Sequence, residues 1–270
     1  MDLFWRVYRP FRTLSIELGA HKYLKNFYWE LFDLATPAYI EKSAGGVGIE
    51  YRLNEPRQLR NHTANPLEFP DFTEEIKPND VFFDVGAHRG LYTCFAAAAS
   101  PKLDIVAIEP GPAIDILQKN ISENGFQNIR TEQIALGEEP GSLSVPDTTS
   151  GMMVNLSDKQ CGSKSIPVIP GDKFVSARSV ELPTVLKIDV EGAEGAVIRG
   201  FEDTIRNQTC RLVFLEVHHP NNEGMPSTEK YGDTPDDVLE LLERMGFKNQ
   251  KVGQRGPQSH YKCIRKENNE

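Results

Sequence analysis

The chain has 270 residues, 30 Lys+Arg against 39 Asp+Glu, and a formal net charge of −9. That length suits one domain with an appendage, large enough to bury a core without a disulfide or metal staple. The acidic balance argues against a general nucleic-acid binder, because a groove that tracks phosphates needs excess cations.

Cys94, Cys161, Cys210 and Cys263 lie far apart, with no C-x-x-C pair. This spacing supports neither a zinc site nor a disulfide framework and predicts reduced thiols in a reducing compartment. The longest apolar run, 94–99, is far short of a membrane span. The first twenty residues hold no apolar stretch followed by a small-residue cleavage site, so no signal peptide and a cytoplasmic location are expected.

In chain order, residues 1–40 carry ten of the 24 aromatics. Ile16, Ala20, Tyr23, Leu24, Phe27, Tyr28, Leu31 and Leu34 recur at helical spacing and predict an amphipathic helix over 14–35 that ends before Pro37. Packing on the main domain or homodimerisation is the expectation. A lid over a cleft and a membrane-surface anchor are the alternatives, the latter because the segment is slightly basic. Residues 43–75 predict an irregular connection with one short strand near 48–53. The division expected is a helical or lid segment over 1–75 and a catalytic domain over 76–270.

From residue 79 short apolar runs alternate with helices. Val81–Val85 is apolar and closes on an acid, as a strand buried on both faces does. Leu91–Ala99 predicts a helix, Asp104–Ile108 a strand, 113–124 a helix and 129–136 a third strand. A small edge strand is expected near 141–145. Residues 185–190 predict a fourth buried strand, 193–205 a helix, 211–217 a fifth strand and 234–245 a helix. Terminal strands are expected near 247–252 and 260–264. Repeated strand–helix units of this length predict an α/β fold with a doubly wound, mostly parallel sheet.

In such sheets ligands bind beyond the carboxyl ends of the strands. Four of the five predicted strand ends carry acids: Asp84, Glu109, Asp189 with Glu191, and Glu216. Gly86 and Gly90 bracket a tight strand-to-helix turn, where missing Cβ atoms let a ligand approach the backbone. Glu109 follows Gly90 by nineteen residues, where an acid commonly holds ribose hydroxyls. Either feature alone has a bland explanation, as a turn glycine or a surface acid. Together they predict a nucleoside cofactor site. The dinucleotide fingerprint is missing, because Ala87 and His88 stand between the glycines, and Asp84 would repel a pyrophosphate. An acid there suits a cofactor bearing an ammonium, such as S-adenosylmethionine (SAM).

Five segments carry a further resemblance: DVGAHRGLYT (84–93), AIEPGP (107–112), IALGEEPGSL (134–143), LKIDVEGAE (186–194) and LEVHH (215–219). In this order they resemble the FkbM-type methyltransferases, class I SAM-dependent enzymes, over about 76–218. The resemblance implies a seven-stranded Rossmann-like sheet and methyl transfer to a hydroxyl of a sugar, glycan or small natural-product-like acceptor. It also implies that Asp84, Gly86, Ala87 and Gly90 line the methionine end of SAM. By the same resemblance Glu109 takes the ribose hydroxyls, Pro110 lies under the adenine, and Gln133, Ile134 and Ala135 edge it. The family's first motif usually has Asn where His88 stands here, so altered local contacts are expected.

A hydroxyl acceptor needs a base nearby. Asp189, Glu191 and His218 are the catalytic candidates, with Glu216 and His219 beside them. A divalent cation on Asp189, Glu191 and Glu216 is a second chemical reading, and no metal is assigned. His21, His62 and His260 carry no motif and read as surface or packing residues. The polar stretches 147–165, with Met152 and Met153, and 219–233 are expected to flank an acceptor cleft. A non-catalytic Rossmann module that binds a nucleoside or a partner is the alternative from another class. An NAD-dependent oxidoreductase is disfavoured by the missing fingerprint.

Overall fold

The computed structural model describes residue 13 and residues 39–52, 67–146, 163–220 and 226–267. The helix expected over 14–35, His21, His62, Cys161, Met152 and Met153 lie outside the described residues, as do 221–225 of the second polar stretch. By compactness the chain divides into residues 1–42 with 50–64, and residues 43–49 with 65–270.

Two strands, β1 (Tyr39–Ala44) and β2 (Val47–Arg52), pair through the two-residue turn Gly45-Gly46. Both glycines have positive φ, 54° and 76°, the backbone that a tight hairpin turn requires. The expected irregular connection thus contains a hairpin, and the single strand expected near 48–53 is its second half.

The central sheet has seven strands. They are β3 (Val81–Val85), β4 (Asp104–Ile108), β5 (Ile129–Glu132), β9 (Val185–Ile188), β10 (Leu212–His218), β11 (Phe247–Arg255) and β12 (Gln258–Arg265). Their spatial order is β11-β12-β10-β9-β3-β4-β5. The five strands from β10 to β5 run parallel, and β12 pairs antiparallel with both β10 and β11. Every residue of β3, β9 and β10 is buried, which is why these strands read as continuous apolar runs rather than alternations. The expected doubly wound, seven-stranded Rossmann-like sheet is therefore present. Its switch point lies between β3 and β9, where the order reverses.

Three further strands form a small separate sheet: β6 (Ala135–Gly137), β7 (Gly141–Pro146) and β8 (Ser163–Pro170), in the order β6-β8-β7. The strand expected over 129–136 is thus two strands in two sheets. The polar run Arg130-Thr131-Glu132-Gln133 explains the break, since it gives way to Ile134 in the main core and Ala135 in the core of the small sheet. β8 was not expected, because its buried positions, Ile166 and Pro170, are too few to show a period.

The described helices are α1 (Phe72–Glu75), α2 (Leu91–Ala99), α3 (Ile114–Glu123), α4 (Gly171–Arg178), α5 (Glu194–Gly200), α6 (Glu202–Arg206) and α7 (Pro235–Arg244). The single helix expected over 193–205 breaks at Phe201, which is fully buried. Gly200 meets the small sheet there, and a Cβ on it would lie 2.0 Å from the Gly137 carbonyl oxygen. Asp172 of α4 then caps α6, accepting from the amides of Asp203 and Thr204 at 3.0 and 2.9 Å. At α7 the run Thr234-Pro235-Asp236-Asp237 makes a reciprocal capping box, with proline in the first turn where its missing N–H costs nothing.

Phe69 and Phe72 pack on Phe214, with ring centroids 5.0 and 5.2 Å away, and Phe72 also packs on Phe82 and Tyr92. The Tyr92 hydroxyl accepts from the Glu68 amide at 2.8 Å and donates to the Glu68 carboxylate at 3.1 Å. This aromatic layer ties Tyr92 of α2 to α1, β3 and β10. Among the described residues no helix is long and apolar enough to cross a membrane.

Candidate active site

The turn from β3 to α2 is shaped by backbone conformation. Gly86, His88 and Gly90 all have positive φ, 82°, 52° and 80°. A Cβ on Gly86 would fall 1.8 Å from the Asp189 carbonyl oxygen, and one on Gly90 would fall 2.2 Å from Leu117 Cδ1. Only glycine lets this turn lie against both the fourth strand end and α3. Histidine, like asparagine, is among the side chains that tolerate left-handed backbone, so His88 fits this turn. Its side chain is exposed.

Glu109, one strand over, fastens this turn. Its Oε2 accepts from the His88 amide at 2.8 Å and its Oε1 from the Gly111 amide at 2.7 Å. Burial pushes its pKa above the ordinary carboxylate value, against the pull of those two amides. Pro110 next to it is half-buried. Gln133 turns its side-chain oxygen to Lys164 Nζ at 3.0 Å, while Ile134 and Ala135 are buried in the two cores. The structure therefore brings Gly86, Ala87, Gly90, Glu109 and Pro110 together at the ends of β3 and β4. Gln133–Ala135 lie beyond the end of β5, with side chains already engaged.

The fourth and fifth strand ends differ in kind, being crowded with charged side chains. Asp84, at the end of β3, is only 1% exposed. Its Oδ2 accepts from the Thr93 hydroxyl at 2.6 Å, and its Oδ1 lies 3.5 Å from Lys187 Nζ. Lys187, on β9, is 2% exposed and reaches Asp189 Oδ2 at 3.2 Å. Its ammonium stands 5.0 Å from the centroid of the Tyr92 ring. Burial works against the lysine's charge, but Asp189, Asp84 and Glu216 outweigh it and hold its pKa above that of a free lysine. Asp189 is partly exposed; burial opposes its charge too, and Lys187 and His218 overcome that to hold its pKa below the usual aspartate value.

Glu191 and Gly192 form the turn after β9, with φ of 53° and 102°. A left-handed glutamate is uncommon backbone, of the sort that clusters at functional sites. Its side chain is 45% exposed, and Oε2 lies 3.5 Å from His218 Nε2. His218 is buried at the end of β10; its Nδ1 bonds Glu194 Oε1 at 2.7 Å, and that oxygen also accepts from the Gly192 amide at 2.9 Å. Burial disfavours the imidazolium, but Glu194, Asp189 and Glu191 outweigh burial and raise its pKa from 6.5 to about 9. Burial raises Glu191 to about 7, with Asp189, Glu216 and Glu194 adding to it and His218 opposing. His219 points elsewhere, its Nε2 lying 2.9 Å from the Ser259 hydroxyl.

Glu216 lies 3.6 Å from His218 through Oε1, and its Oε2 bonds His260 Nε2 at 3.2 Å. The register places Glu216 directly opposite His260 across β10 and β12. Asp189, Glu216 and His218 offer oxygen and nitrogen atoms within 4.8 Å of one another. The buried Lys187 ammonium already neutralises this group, so a divalent cation would meet a fixed positive charge beside it.

Sequence reasoning missed Lys187, Glu194 and His260. A signal for the first was in view, since a lysine within the buried run VLKI must be paired. His260 had no local signal, because its role comes from the register.

The family model described as the methyltransferase FkbM domain matches residues 84–248. The hexuronic acid methyltransferase AglP of Haloferax volcanii is 29% identical over 170 residues, 63% of this chain and 64% of that protein. The 31-O-demethyl-FK506 methyltransferase FkbM of Streptomyces tacrolimicus is 29% identical over 178 residues, 53% of this chain and 67% of that protein. The chain thus spans about two thirds of the length of these curated relatives. Among solved structures, a methyltransferase FkbM from Methylobacillus flagellatus KT aligns at a TM-score of 0.47 and 16% identity, covering 69% of this chain and 44% of that one. The family match takes in every strand end described above and well over half of the sequence, and on that ground the chain belongs to the FkbM methyltransferase family.

Proposed function

We propose that the protein is a SAM-dependent O-methyltransferase whose acceptor is a hydroxyl of a sugar, a glycan or a small natural-product-like molecule. Family membership supports methyl transfer, and one relative's name includes an O-demethyl compound while another's names a hexuronic acid. The residues present suit a cationic nucleoside. A glycine turn with no room for a Cβ leaves backbone at its surface, and a partly exposed acid, Asp189, stands beside it. Gly86, Ala87 and Gly90 would hold the methionine end, with Asp189 at the surface and Asp84 behind it. Glu109 and Pro110 would take the ribose and adenine, and Gln133, Ile134 and Ala135 the adenine edge. When bound, SAM supplies a methyl group on a sulfonium, an electrophile that needs no activation by the protein.

The observation that carries the reading is the Glu191–His218 pair. Glu191 is half-exposed with a pKa of about 7, close to the ideal for accepting a proton from a hydroxyl at neutral pH. His218 stays charged up to about 9, so its task is to donate or to stabilise negative charge rather than to act as the first base. Its Nε2 is buried, makes no hydrogen bond among the described residues, and faces Glu191 Oε2 at 3.5 Å and Glu216 Oε1 at 3.6 Å, so its charge is felt by Glu191. Asp189 completes the polar wall. The chain's own work is to place the acceptor oxygen and remove its proton.

Packing or homodimerisation through residues 14–35 and a cytoplasmic location belong to this proposal, with membrane-surface contact of that segment as the alternative. The three described cysteines, all buried free thiols, suit a reducing compartment. Titration calorimetry with SAM, S-adenosylhomocysteine and NAD tests the cofactor. Mass spectrometry of cell extracts incubated with labelled SAM tests the acceptor. A protein that binds neither SAM nor S-adenosylhomocysteine would sink the reading and leave a non-catalytic binding module.

A further inference from the structure

We propose that Lys187 is a positioning residue, an internal counter-ion that holds Asp189 in place and charged at the edge of the cofactor site. This rests on the reading of that edge as a SAM site. Three groups lie in a row from inside to outside. Asp84 is sealed, Lys187 is sealed, and Asp189 is partly open, with side-chain exposures of 1%, 2% and 28%. The ammonium is shared between carboxylates contributed by two neighbouring strand ends, 3.5 Å from one and 3.2 Å from the other. The Tyr92 ring lies 5.0 Å from it, and Tyr92 is itself pinned by Glu68.

Stability alone does not account for this arrangement. A buried ion pair seldom improves on apolar side chains of similar volume, because desolvation offsets the attraction. What the lysine does uniquely is fix the outer carboxylate. Without it Asp189 would face Asp84 and Glu216 with His218 as the nearest remaining cation. The charged groups around Asp189 are Lys187 from β9, Asp84 from β3, Glu109 from the end of β4, Glu216 and His218 from β10, Glu191 from its own turn and His88 from the β3–α2 turn. Of these, Lys187 alone is a permanent cation in direct contact with it. Asp84 then acts from behind, as the second anion that keeps the lysine buried and charged.

The test compares the Asp84→Asn variant with the double variant Asp84→Asn, Lys187→Met, which removes the ammonium without stranding Asp84 as an unpaired acid. SAM affinity is measured by titration calorimetry across the range from about pH 5 to 8, where a buried carboxylate that has lost its cation takes up a proton. The expected result is at least a tenfold weaker affinity in the double variant, with the gap widening as the pH falls. A merely structural lysine would give no such slope, and a gap under tenfold overturns the proposal. If the double variant does not fold, carboxyl-carbon NMR on the wild-type protein decides. An Asp189 midpoint below 3.8 supports the proposal and one above it overturns the proposal. Failure of the wild-type protein to bind SAM would instead strike the cofactor reading, and the NMR midpoint would still judge Lys187.

Discussion

The first strand-end turn and the fourth and fifth strand ends sit side by side at the switch point, yet they are built on opposite plans. Around 84–90 the function is carried by backbone: glycines at positive φ, and a carboxylate that serves to fasten two turns. Around 187–194 and 216–218 side chains dominate: Lys187 pairs with Asp189, and His218 lies within ion-pair distance of Glu191, Glu194 and Glu216. On the proposed reading the backbone cradle takes the cofactor, and the side-chain cluster sets protonation and acceptor chemistry. Changes in the first region, and at the Lys187–Asp189 pair that adjoins it, should therefore act on cofactor affinity, and changes at Glu191 and His218 on turnover.

The strongest way to break this contrast is Gly86→Ala. The new methyl would collide with the Asp189 carbonyl, and the backbone there resists any side chain. SAM affinity in calorimetry should fall by about a hundredfold or more, a loss equivalent to about 2.7 kcal/mol. Unchanged affinity would mean that the turn is not the cofactor cradle. Glu191→Gln should do the reverse, leaving SAM affinity within about threefold and lowering kcat by about 10² to 10⁴, the usual worth of a general base. Equal losses in binding and in kcat would make Glu191 structural.

The pH profile sharpens the second region. kcat/KM should rise with pH through about 7 as Glu191 loses its proton and fall through about 9 as His218 loses its own. Glu191→Gln should erase the acid limb, and His218→Gln the alkaline one. The histidine also links pH to stability. Its folded pKa lies above 6.5, so its contribution is complete below 6.5 and is lost as the pH rises through about 9. Thermal melts of His218→Gln should be flatter than wild type across that window. The smallest effect lies outside both regions. Thr234→Ala removes the α7 cap and should lower Tm by about 2–4 °C, with SAM affinity unmoved.

How much of this was legible in the sequence follows the same division. The glycine turn, the buried parallel strands and the capped start of α7 are local patterns, and each was visible in a few adjacent residues. Lys187 was concealed because the run around it is otherwise apolar. Its partner Asp84 meets it only when β3 and β9 lie side by side, whereas Asp189 stands two residues further along the same run. His260 is 44 residues from Glu216 in sequence and opposite it in space, a pairing that only the β10–β12 register creates. The small sheet was hidden for a related reason. β6 is three residues long, and its partner β8 lies beyond a long polar stretch. The roles of the candidates also shifted. Asp189, Glu191 and His218 were catalytic candidates together, and on the proposed reading the bond of His218 to the buried Glu194 leaves the part of base to Glu191.

The order of the strands has a consequence for synthesis on the ribosome. β12 lies between β10 and β11, although both are made before it. Until residues 258–265 have emerged, β10 presents a raw edge and Glu216 lacks His260. The growing chain therefore carries all four of those acidic strand ends before it can complete the sheet behind them. Chains stalled at residue 257 should be cut by protease far faster than the finished protein, because assembly of the catalytic edge waits on a segment translated some forty residues later.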